Sequence, residues 1–372
     1  MNTMNIDREI IRSGFDGETC WVNPWCGVAD DGQTAVLTMQ KLLLSGSDVF
    51  YGAHTAWSND RGQTFSPLSP VKPMGRRTED DGRESCVNDL KPRWHRASGT
   101  MLGIGVRVFY SNSDHPDHTS PGGRPPETVY ATWDPATRQW SESTTLPVPE
   151  HPDFDEAVAG SVQRVERNDG RILLPLSCRP RGEAVRTTVV AECAFDGRTL
   201  EILRLGNGLS VDVARGLYEP SIARVGERCV LTMRNDEKGY TAVSDDGLHY
   251  ERLQTWRFDT GDELGSYNTQ QHWVTHEDHA WLVYTRRGLD NDHVFRHRAP
   301  LMMAEVDLES MTVCRETERE LVPQRSARLG NFGVTKVDEN ETWVTVAEWM
   351  QPIGCEQHGS DNSVYLVRLR WD

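Results

Sequence analysis

The chain has 372 residues, of which 37% are hydrophobic and 26% are charged, and its formal net charge is −16. This composition is typical of a globular protein, with room for one large all-β domain or two ordinary domains. An acidic surface repels phosphate, which argues against nucleic acid as a partner. No apolar run approaches the roughly 20 residues that a membrane-spanning helix needs, which argues against insertion into a membrane.

The first 14 residues are polar and include Asp7, Arg8 and Glu9, so they do not resemble a signal peptide. This favours a cytoplasmic protein, or a secreted one whose signal has been removed. The eight cysteines include no CxxC pair. Their even spacing favours reduced, partly buried thiols over a structural zinc site or a disulfide framework.

Short apolar runs recur six times along the chain, and each ends at a polar or charged residue. They are too short for helices and predict buried strands. The six runs cover residues 35–41, 101–107, 172–179, 230–234, 281–287 and 343–348.

Each of these runs follows another candidate strand and a turn rich in Asp, Asn or Gly, which predicts a hairpin. A third strand comes next, and five repeats add a fourth, more polar segment. The last repeat lacks this fourth segment, and residues 7–13 could supply it. Closing a ring with strands from both termini removes exposed sheet edges. The sequence therefore predicts one all-β domain over residues 1–372, with six four-stranded antiparallel units.

The segment after the third strand of the first repeat carries Ser58, Asp60, Gly62, Thr64 and Phe65 at spacings that resemble the Asp box of sialidases. In such a turn the carboxylate accepts backbone N–H bonds and the glycine takes a positive φ. The role of the turn is structural.

The fourth repeat contains a degraded copy of the same pattern at residues 244–250, and a Glu219-Pro220-Ser221 segment that resembles a blade opening in sialidase-like proteins. With six matching repeats, the chain resembles a divergent member of the sialidase superfamily, whose BNR-repeat fold is a six-bladed β-propeller. The resemblance implies that the N-terminal strand closes the last blade.

In a propeller blade, the start of the first strand and the end of the second face the same side. Five of the six second strands place a cation at or beside this corner. In an acidic chain this pattern predicts a clamp for an anionic glycan, because the arginine fork binds a carboxylate through two hydrogen bonds. The alternative is a set of solvated strand ends paired with local acids. The candidate cations are Lys41, Arg107, Arg179, Arg234, Arg286 and Arg287.

The carboxylates predicted nearest the channel mouth are Asp89, Glu219 and Glu348. A glycosidase needs one carboxyl group held protonated and another ionised, and neighbouring arginines can separate their pKa values in this way. For each carboxylate a structural role beside an arginine stays open. Further candidates for substrate contact are Tyr218, His272 and Asn331.

The loop with His115 and His118 could suggest a metal, but its spacing matches no regular ligand set, and the sequence predicts neither a metal nor a cofactor.

The resemblance to sialidases also implies roles for individual residues. Arg234 and Arg286 match two members of the arginine triad that holds the substrate carboxylate, and Glu219 matches the glutamate that assists a tyrosine nucleophile. The pattern fails at residues 23–25, where the first-blade arginine is missing, and at residues 331–332, where the tyrosine is missing. Asp48 is a candidate for the acid/base.

Three functions follow as hypotheses. The first is a glycoside hydrolase on a sialic acid-, uronic acid- or sulfate-containing glycan, with Glu219 and either Glu348 or Asp89 as its carboxylates. The second is a polysaccharide lyase, in which an arginine neutralises a uronate and Tyr218, Tyr267 or His272 removes a proton. The third is a propeller that binds a glycan or a protein without catalysis. The oligomeric state is not predicted.

Overall fold

The computed structural model describes residues 4–46, 48–112, 115–117 and 123–372. Over these ranges the chain is an all-β propeller with four-stranded antiparallel blades, and its strands form six separate sheets. Short 3-10 helices occur at Phe295–His297, Arg315–Thr317 and Cys355–His358. No helix in the described ranges is long and apolar enough to cross a membrane.

The strands of the first three sheets follow the N-terminal strand β1 (Met4–Arg12) in chain order. Sheet one contains β2 (Thr19–Val28), β3 (Ala35–Leu43), β4 (Val49–Ser58) and β5 (Ser69–Gly75). Sheet two contains β6 (Arg77–Thr78), β7 (Glu84–His95), β8 (Thr100–Asn112), β9 (His115–Pro116), β10 (Glu127–Asp134), β11 (Gln139–Trp140) and β12 (Thr144–Thr145). Sheet three contains β13 (Glu156–Val158), β14 (Val165–Glu166), β15 (Ile172–Arg179), β16 (Thr187–Phe195) and β17 (Leu200–Leu205).

The other three sheets continue the same order. Sheet four contains β18 (Tyr218–Val225), β19 (Arg228–Arg234), β20 (Tyr240–Ser244) and β21 (Leu253–Thr255). Sheet five contains β22 (His272–His276), β23 (His279–Tyr284), β24 (Leu301–Asp307), β25 (Thr312–Val313) and β26 (Arg319–Val322). Sheet six contains β27 (Phe332–Lys336), β28 (Glu341–Ala347) and β29 (Val364–Trp371).

Sheet six is completed by the N-terminal strand, as the sequence predicts. Strand β1 pairs with β29 in antiparallel register from Met4 opposite Trp371 to Arg12 opposite Val364. The strand order is therefore β1-β29-β28-β27, with the two ends of the chain side by side. At the other end of this order, β27 contacts β2 of sheet one, so the first and last sheets lie next to each other.

The predicted strands agree closely with the observed ones. Residues 172–179 coincide with β15, and the predicted third strand at residues 240–244 coincides with β20. Other boundaries differ by one to several residues. Strand β23 ends at Tyr284 and leaves Arg286 and Arg287 in the following loop. These two arginines are therefore not held by strand pairing.

The hydrophobic core lies between the faces of neighbouring sheets. One cluster joins sheets two and three through residues such as Ile104, Leu174 and Val189, and another joins sheets five and six through Val283 and Val346. The alternating side chains of each strand reach both adjoining interfaces, as in stacked sheets generally.

The turn at residues 58–65 is held by its own side chains. The Asp60 carboxylate accepts hydrogen bonds from the Thr64 hydroxyl (2.6 Å) and the Thr64 backbone N–H (2.9 Å). The Thr64 hydroxyl is the main cause that lowers the pKa of Asp60 to about 2. Gly62 has a φ of 70°, and a Cβ added to it would lie 2.7 Å from the Trp343 ring.

We expect Gly62→Ala to reduce the free energy of unfolding by about 2–4 kcal/mol, because a positive φ and a clash with a buried ring add together. Gly17→Ala is the matched control, since Gly17 also has a positive φ, of 84°, but its Cβ would meet no atom within 4 Å. The control should cost about 1 kcal/mol in urea unfolding. Equal costs for the two variants would contradict the packing of this turn against Trp343.

Candidate functional site

The innermost strands of three sheets share the same bulge. Strand pairing shifts register between Val22 and Trp25, between Asn88 and Lys91, and between Tyr218 and Ser221. A bulge of this kind breaks the ladder and redirects the side chains that it contains. The redirected residues belong to the strand starts that the sequence predicts to build the site.

The bulge residues have an unusual backbone conformation. Asn23, Asp89 and Glu219 have φ values of 50°, 51° and 48°. Two further residues of the inner segments, Ser161 in sheet three and Asn268 in sheet five, have values of 51° and 52°. Positive φ is uncommon outside glycine and often accompanies function. Five sheets therefore present a polar side chain at one end of the channel from a strained position.

Asp89 is buried and held by its neighbours. Its carboxylate accepts hydrogen bonds from Lys91 (Nζ to Oδ2, 3.0 Å) and from the backbone N–H of Ser161, while its own N–H donates to Gln40 (3.0 Å). Lys91 is 2% exposed. Burial lowers the pKa of Lys91, and the charge of Asp89 opposes that change.

Glu219 begins a chain of contacts from sheet four to sheet five. Its Oε2 lies 2.5 Å from Nη1 of Arg234, whose Nη2 donates to the side-chain oxygen of Asn268 at 2.7 Å. The carbonyl oxygen of Asn268 then accepts hydrogen bonds from Arg298, including one of 3.0 Å from Nε. Burial acts to lower the pKa of Arg234, but the negative charge of Glu219 acts in the opposite direction. The pKa of Arg234 is as a result raised above its ordinary value.

The charge of Glu219 also acts on several other cations. Burial lowers the pKa values of Lys91, Arg186 and Arg298, and the negative charge of Glu219 acts in the opposite direction on all three. Together with Arg234, four cations therefore share Glu219, and Lys91 is also paired with Asp89 at 3.0 Å. Such a group has an excess of positive charge that an anionic ligand could neutralise.

Arg186 and Arg298 of this group have no ion pair among the described residues, and neither has Arg328, whose charge acts on Arg298. Arg298 and Arg328 are each 4% exposed. Burial and then the charges of Arg234 and Arg328 hold the pKa of Arg298 well below its ordinary value. Burial and then Arg296 lower the pKa of Arg328 to about 10. Arg328 bonds the side chain of Gln351 and lies 4.2 Å over the Trp349 ring.

Several buried polar atoms at this end of the channel have no hydrogen-bond partner within the described parts of the protein. Burying an unpaired polar group costs about 1–3 kcal/mol, so a concentration of such atoms is unusual. Six of the ten such atoms are at this end: Asn23 Oδ1, Gln40 Nε2, Asn88 Nδ2, Arg234 Nε, Arg328 Nε and Trp349 Nε1.

A tyrosine lies beside the same group. The Tyr267 hydroxyl is 2.6 Å from Nδ1 of His297, and Nε2 of His297 is 3.2 Å from the carboxylate of Asp292. Arg287 lies 4.2 Å over the Tyr267 ring. Tyr267 directly precedes Asn268, so this Tyr–His–Asp series begins next to the residue that joins Arg234 to Arg298.

The channel is blocked below these residues. The side-chain amide of Gln163 in sheet three exchanges hydrogen bonds of 2.7 and 2.8 Å with the backbone of Trp273 in sheet five. His272 is fully buried and makes edge contacts with the rings of Trp25 and Phe332, at centroid distances of 5.1 and 5.0 Å. These residues form a plug that divides the channel into two mouths.

Several predicted clamp residues do not join the group around Glu219. Arg286 bonds both carboxylate oxygens of Glu318 at 2.7 Å. Arg179 bonds Glu156 at 2.6 Å, and Arg107 is 3.3 Å from Glu127. Each of these acids lies in the same sheet as the arginine that it contacts, or next to that sheet. The charges of the three arginines are therefore already neutralised.

The other two predicted cations are peripheral. Lys41 is partly exposed and lies 3.3 Å from Asp16. Arg287 is exposed and reaches the group only through the Tyr267 ring. Of the six strand-end cations, Arg234 alone bonds Glu219, and the other five contact partners outside that group.

Among the predicted carboxylates, Glu348 stands apart from Glu219. Both its oxygens accept hydrogen bonds from Arg325, at 2.7 and 2.9 Å, and Oε2 also accepts the backbone N–H groups of Asp361 and Ser363. Burial raises the pKa of Glu348, and Arg325 opposes that change. The carboxylate oxygens of Glu348 are therefore already hydrogen-bonded within the protein, as expected for a structural role beside an arginine.

Tyr218, His272 and Asn331 are placed differently from one another. The Tyr218 hydroxyl bonds Asp236, and burial raises its pKa. His272 belongs to the plug, with Nδ1 2.7 Å from the Ser221 hydroxyl. Asn331 is half-buried at the start of sheet six, directly before Phe332 of the plug. Only Asn331 remains at a strand start open to the mouth.

Sequence reasoning places Asn268 among the strand starts and Arg298 in a loop at the rim, without giving either residue a role. It does not select Ser161 or Arg328. Neither residue belongs to a segment that recurs in the repeats. Ser161 lies where the innermost strand of sheet three is split into β13 and β14, and Arg328 lies in the linker before sheet six.

No metal-binding group is evident in the described ranges, where no cluster of three or more His, Cys, Asp or Glu side chains could hold an ion. His118 lies outside those ranges. All eight cysteines are free thiols.

The fold resembles that of solved sialidases at low sequence identity. A Hadza microbial sialidase is 14% identical with a TM-score of 0.68, and the match covers 98% of this chain and 68% of that protein. A Trypanosoma rangeli sialidase is 12% identical with a TM-score of 0.61, over 98% of this chain and 59% of that protein. This chain therefore corresponds to only part of these enzymes.

A protein of unknown function from Dyadobacter fermentans matches over the full length. It is 14% identical with a TM-score of 0.66, and 99% of each chain is covered. No protein-family model matches the sequence, and no curated protein is similar to it. At these identities the likeness establishes a sialidase-like fold, and the chemistry has to be argued from the residues of this chain.

We expect His272 to make the stability of the protein fall in acid. Burial lowers the pKa of His272 to about 3, from an ordinary value of 6.5. In the unfolded chain His272 is therefore protonated below about pH 6.5, whereas in the folded chain it stays neutral down to about pH 3. Stability is lost across that window, by about 2 kcal/mol between pH 6.5 and pH 5.

The measurement is urea unfolding at pH 7.5 and pH 5.0 for the wild type and His272→Gln. The variant should lose less stability between the two pH values than the wild type does. His293→Gln, at an exposed histidine, serves as the control and should keep the wild-type difference. If His272→Gln keeps it as well, the buried neutral state of His272 is wrong.

Proposed function

We propose that the protein is a sialidase-like glycoside hydrolase that acts on an anionic glycan at the mouth of the channel next to Glu219. The observation that carries the proposal is the excess of buried cations around this one carboxylate. Arg298 and Arg328 have no ion pair among the described residues, although the chain as a whole has a net charge of −16. A ligand that brings its own carboxylate or sulfate would neutralise them.

The polar groups of the mouth suit a sugar that carries such a group. Arginine forks bind carboxylates in a planar, two-point geometry. The amides of Asn23, Gln40 and Asn88 each have an unpaired polar atom, and sugar hydroxyls can pair with donors and acceptors alike. Trp349 adds an aromatic ring on the side of Arg328. A sialic acid, a uronic acid or a sulfated sugar is therefore the proposed substrate class.

The proposed chemistry uses Glu219, Tyr267 and Asp48. His297 can accept the proton of the Tyr267 hydroxyl, which activates the tyrosine as a nucleophile. Glu219 would hold Arg234 and the reacting centre in position. Asp48 is exposed in a loop of sheet one, where its charge opposes the lowering of the Arg328 pKa by burial, and it is the proposed acid for the leaving group.

Two details of the fold are proposed in addition to the similarity to solved structures. We infer that each of the six sheets is one blade of a six-bladed propeller, and that the turns at residues 58–65 and 244–250 are Asp boxes. The hydrogen bonds of Asp60 to Thr64 and of Asp246 to the His249 backbone (2.8 Å) support this inference.

A lyase acting on a uronic acid-containing glycan is the second candidate. The contact between Tyr267 and His297 favours it, since a tyrosine beside a basic imidazole can also remove a proton next to a carboxylate that arginine has neutralised. Hydrolysis yields a new reducing end only, whereas elimination also yields an unsaturated product that absorbs in the ultraviolet. The two functions therefore differ in their products.

A product screen over sialylated, uronic and sulfated oligosaccharides tests the function. We expect Glu219→Gln to reduce kcat/KM by about 10²–10⁴-fold and Arg234→Gln by about 10–100-fold, because charged hydrogen bonds are lost at the reacting centre. Arg179→Gln is the control, because Arg179 also ends a second strand and pairs with a glutamate, but stands outside the group. Turnover that survives both Glu219→Gln and Arg234→Gln would place the chemistry elsewhere, and no turnover on any substrate would favour a binding protein.

Tyr267→Phe separates catalysis from binding. The change removes only the hydroxyl that contacts His297, so we expect kcat to fall by at least about 10²-fold with little change in substrate affinity. Tyr51→Phe, at an exposed tyrosine of sheet one, is the control. Wild-type kcat in Tyr267→Phe would rule out tyrosine as the nucleophile or the base.

A further inference from the structure

The opposite mouth of the channel holds a cavity. Its volume is about 960 Å³, and all six sheets contribute to its wall. Trp25, Gln163 and Trp273 of the plug form its floor, so it is separated from the mouth that contains Glu219. A cavity of this size is in the range that accommodates a small-molecule ligand.

Most of the cations around this cavity are neutralised by nearby acids. Arg61 pairs with Asp338 and with Glu341, the latter at 2.8 Å, and Arg167 pairs with Glu192 at 3.1 Å. Exposed pairs also occur at the rim, where Lys336 is 2.8 Å from Glu339 and Arg96 is 3.4 Å from Asp30. These side chains therefore leave little net charge in the wall.

Arg93 and Arg164 differ from the others, because neither has an ion pair among the described residues. Arg93 donates to the backbone oxygen of Arg164, and Arg164 donates to the backbone oxygens of Lys91 (3.0 Å) and Leu102 (2.6 Å). Backbone carbonyls thus fix two guanidinium groups side by side. Burial and then the charge of Arg93 lower the pKa of Arg164 to about 9.

The nearest acid does not cancel these charges. The carboxylate oxygens of Glu166 accept the backbone N–H groups of Arg96 (3.0 Å) and Ala97 (3.1 Å), and one lies 3.6 Å from His95. Burial lowers the pKa values of Arg93 and Arg164, and the charge of Glu166 opposes this change without forming an ion pair with either arginine. Two fixed, adjacent cations in a cavity of an acidic protein are a suitable arrangement for an oxyanion.

We propose that Arg93 and Arg164 form a binding site for a small multivalent oxyanion, such as a phosphate or a polycarboxylate, at the mouth of the channel opposite Glu219. The plug keeps this ligand apart from any substrate of the other mouth. The site does not depend on the proposed glycosidase function, and it exists whether or not the protein has catalytic activity.

The test is calorimetric titration of the purified protein with inorganic phosphate, and separately with citrate, in chloride buffer of constant ionic strength. We expect saturable binding of one anion per chain. Arg93→Gln should weaken it about tenfold or more, because charge-assisted hydrogen bonds are lost. Arg93→Lys keeps the charge and should retain part of the affinity. Phosphate-selective binding would identify a phosphate site, and citrate-selective binding a carboxylate site.

Arg96→Gln is the matched control, since Arg96 lies on the same wall but is exposed and paired with Asp30. It should bind the anion as the wild type does. Thermal unfolding without added anion checks that each variant is folded. The proposal fails if the wild type binds neither anion, or if folded Arg93→Gln binds as tightly as the wild type.

Discussion

The bulge in the innermost strands is the constraint on which the candidate site depends. In an uninterrupted strand, alternate side chains would enter the two interfaces with neighbouring sheets. The extra residues at Asn23, Asp89 and Glu219 break this alternation and place polar side chains at the end of the channel. Each bulge position adopts a strained backbone conformation with a positive φ. The strain is tolerated because the second strand of each sheet is also paired with the third strand, on the side away from the bulge.

The same geometry explains which cations are neutralised. Where the inner strand runs regularly, an acid opposite the end of the second strand can reach its arginine, as Glu156 reaches Arg179. At the bulge of sheet four the acid is Glu219 itself, so the pair with Arg234 lies at the axis instead. Arg298 and Arg328 then approach from a loop and a linker, and neither forms an ion pair among the described residues. The excess of positive charge therefore follows from the bulge together with these two segments.

The sequence predicts the sheets well and the site in part. Strands β15 and β20 have the predicted bounds because alternating and apolar patterns record burial directly. The pairing of β1 with β29 also follows from the missing outer strand of the last repeat. The convergence of the arginines could not be predicted in this way. Glu318 neutralises Arg286 from 32 positions further along the chain, and only the folded loop brings the two together.

The site differs from the sialidase pattern in where its cations and its tyrosine lie around the channel axis. The resemblance leads one to expect an arginine in the first blade and a tyrosine in the last, but the equivalent strand starts carry Asn23 and Asn331. Cations instead come from Arg298, in the loop between β23 and β24 of sheet five, and from Arg328, between sheets five and six. A tyrosine with a histidine partner lies at Tyr267, directly before the first strand of sheet five. A substrate carboxylate held by Arg234, Arg298 and Arg328 would sit towards sheets four to six. Under the proposed function, its sugar ring would then extend towards sheets one and two, where Asn23, Gln40 and Asn88 each have a buried polar atom without a partner among the described residues.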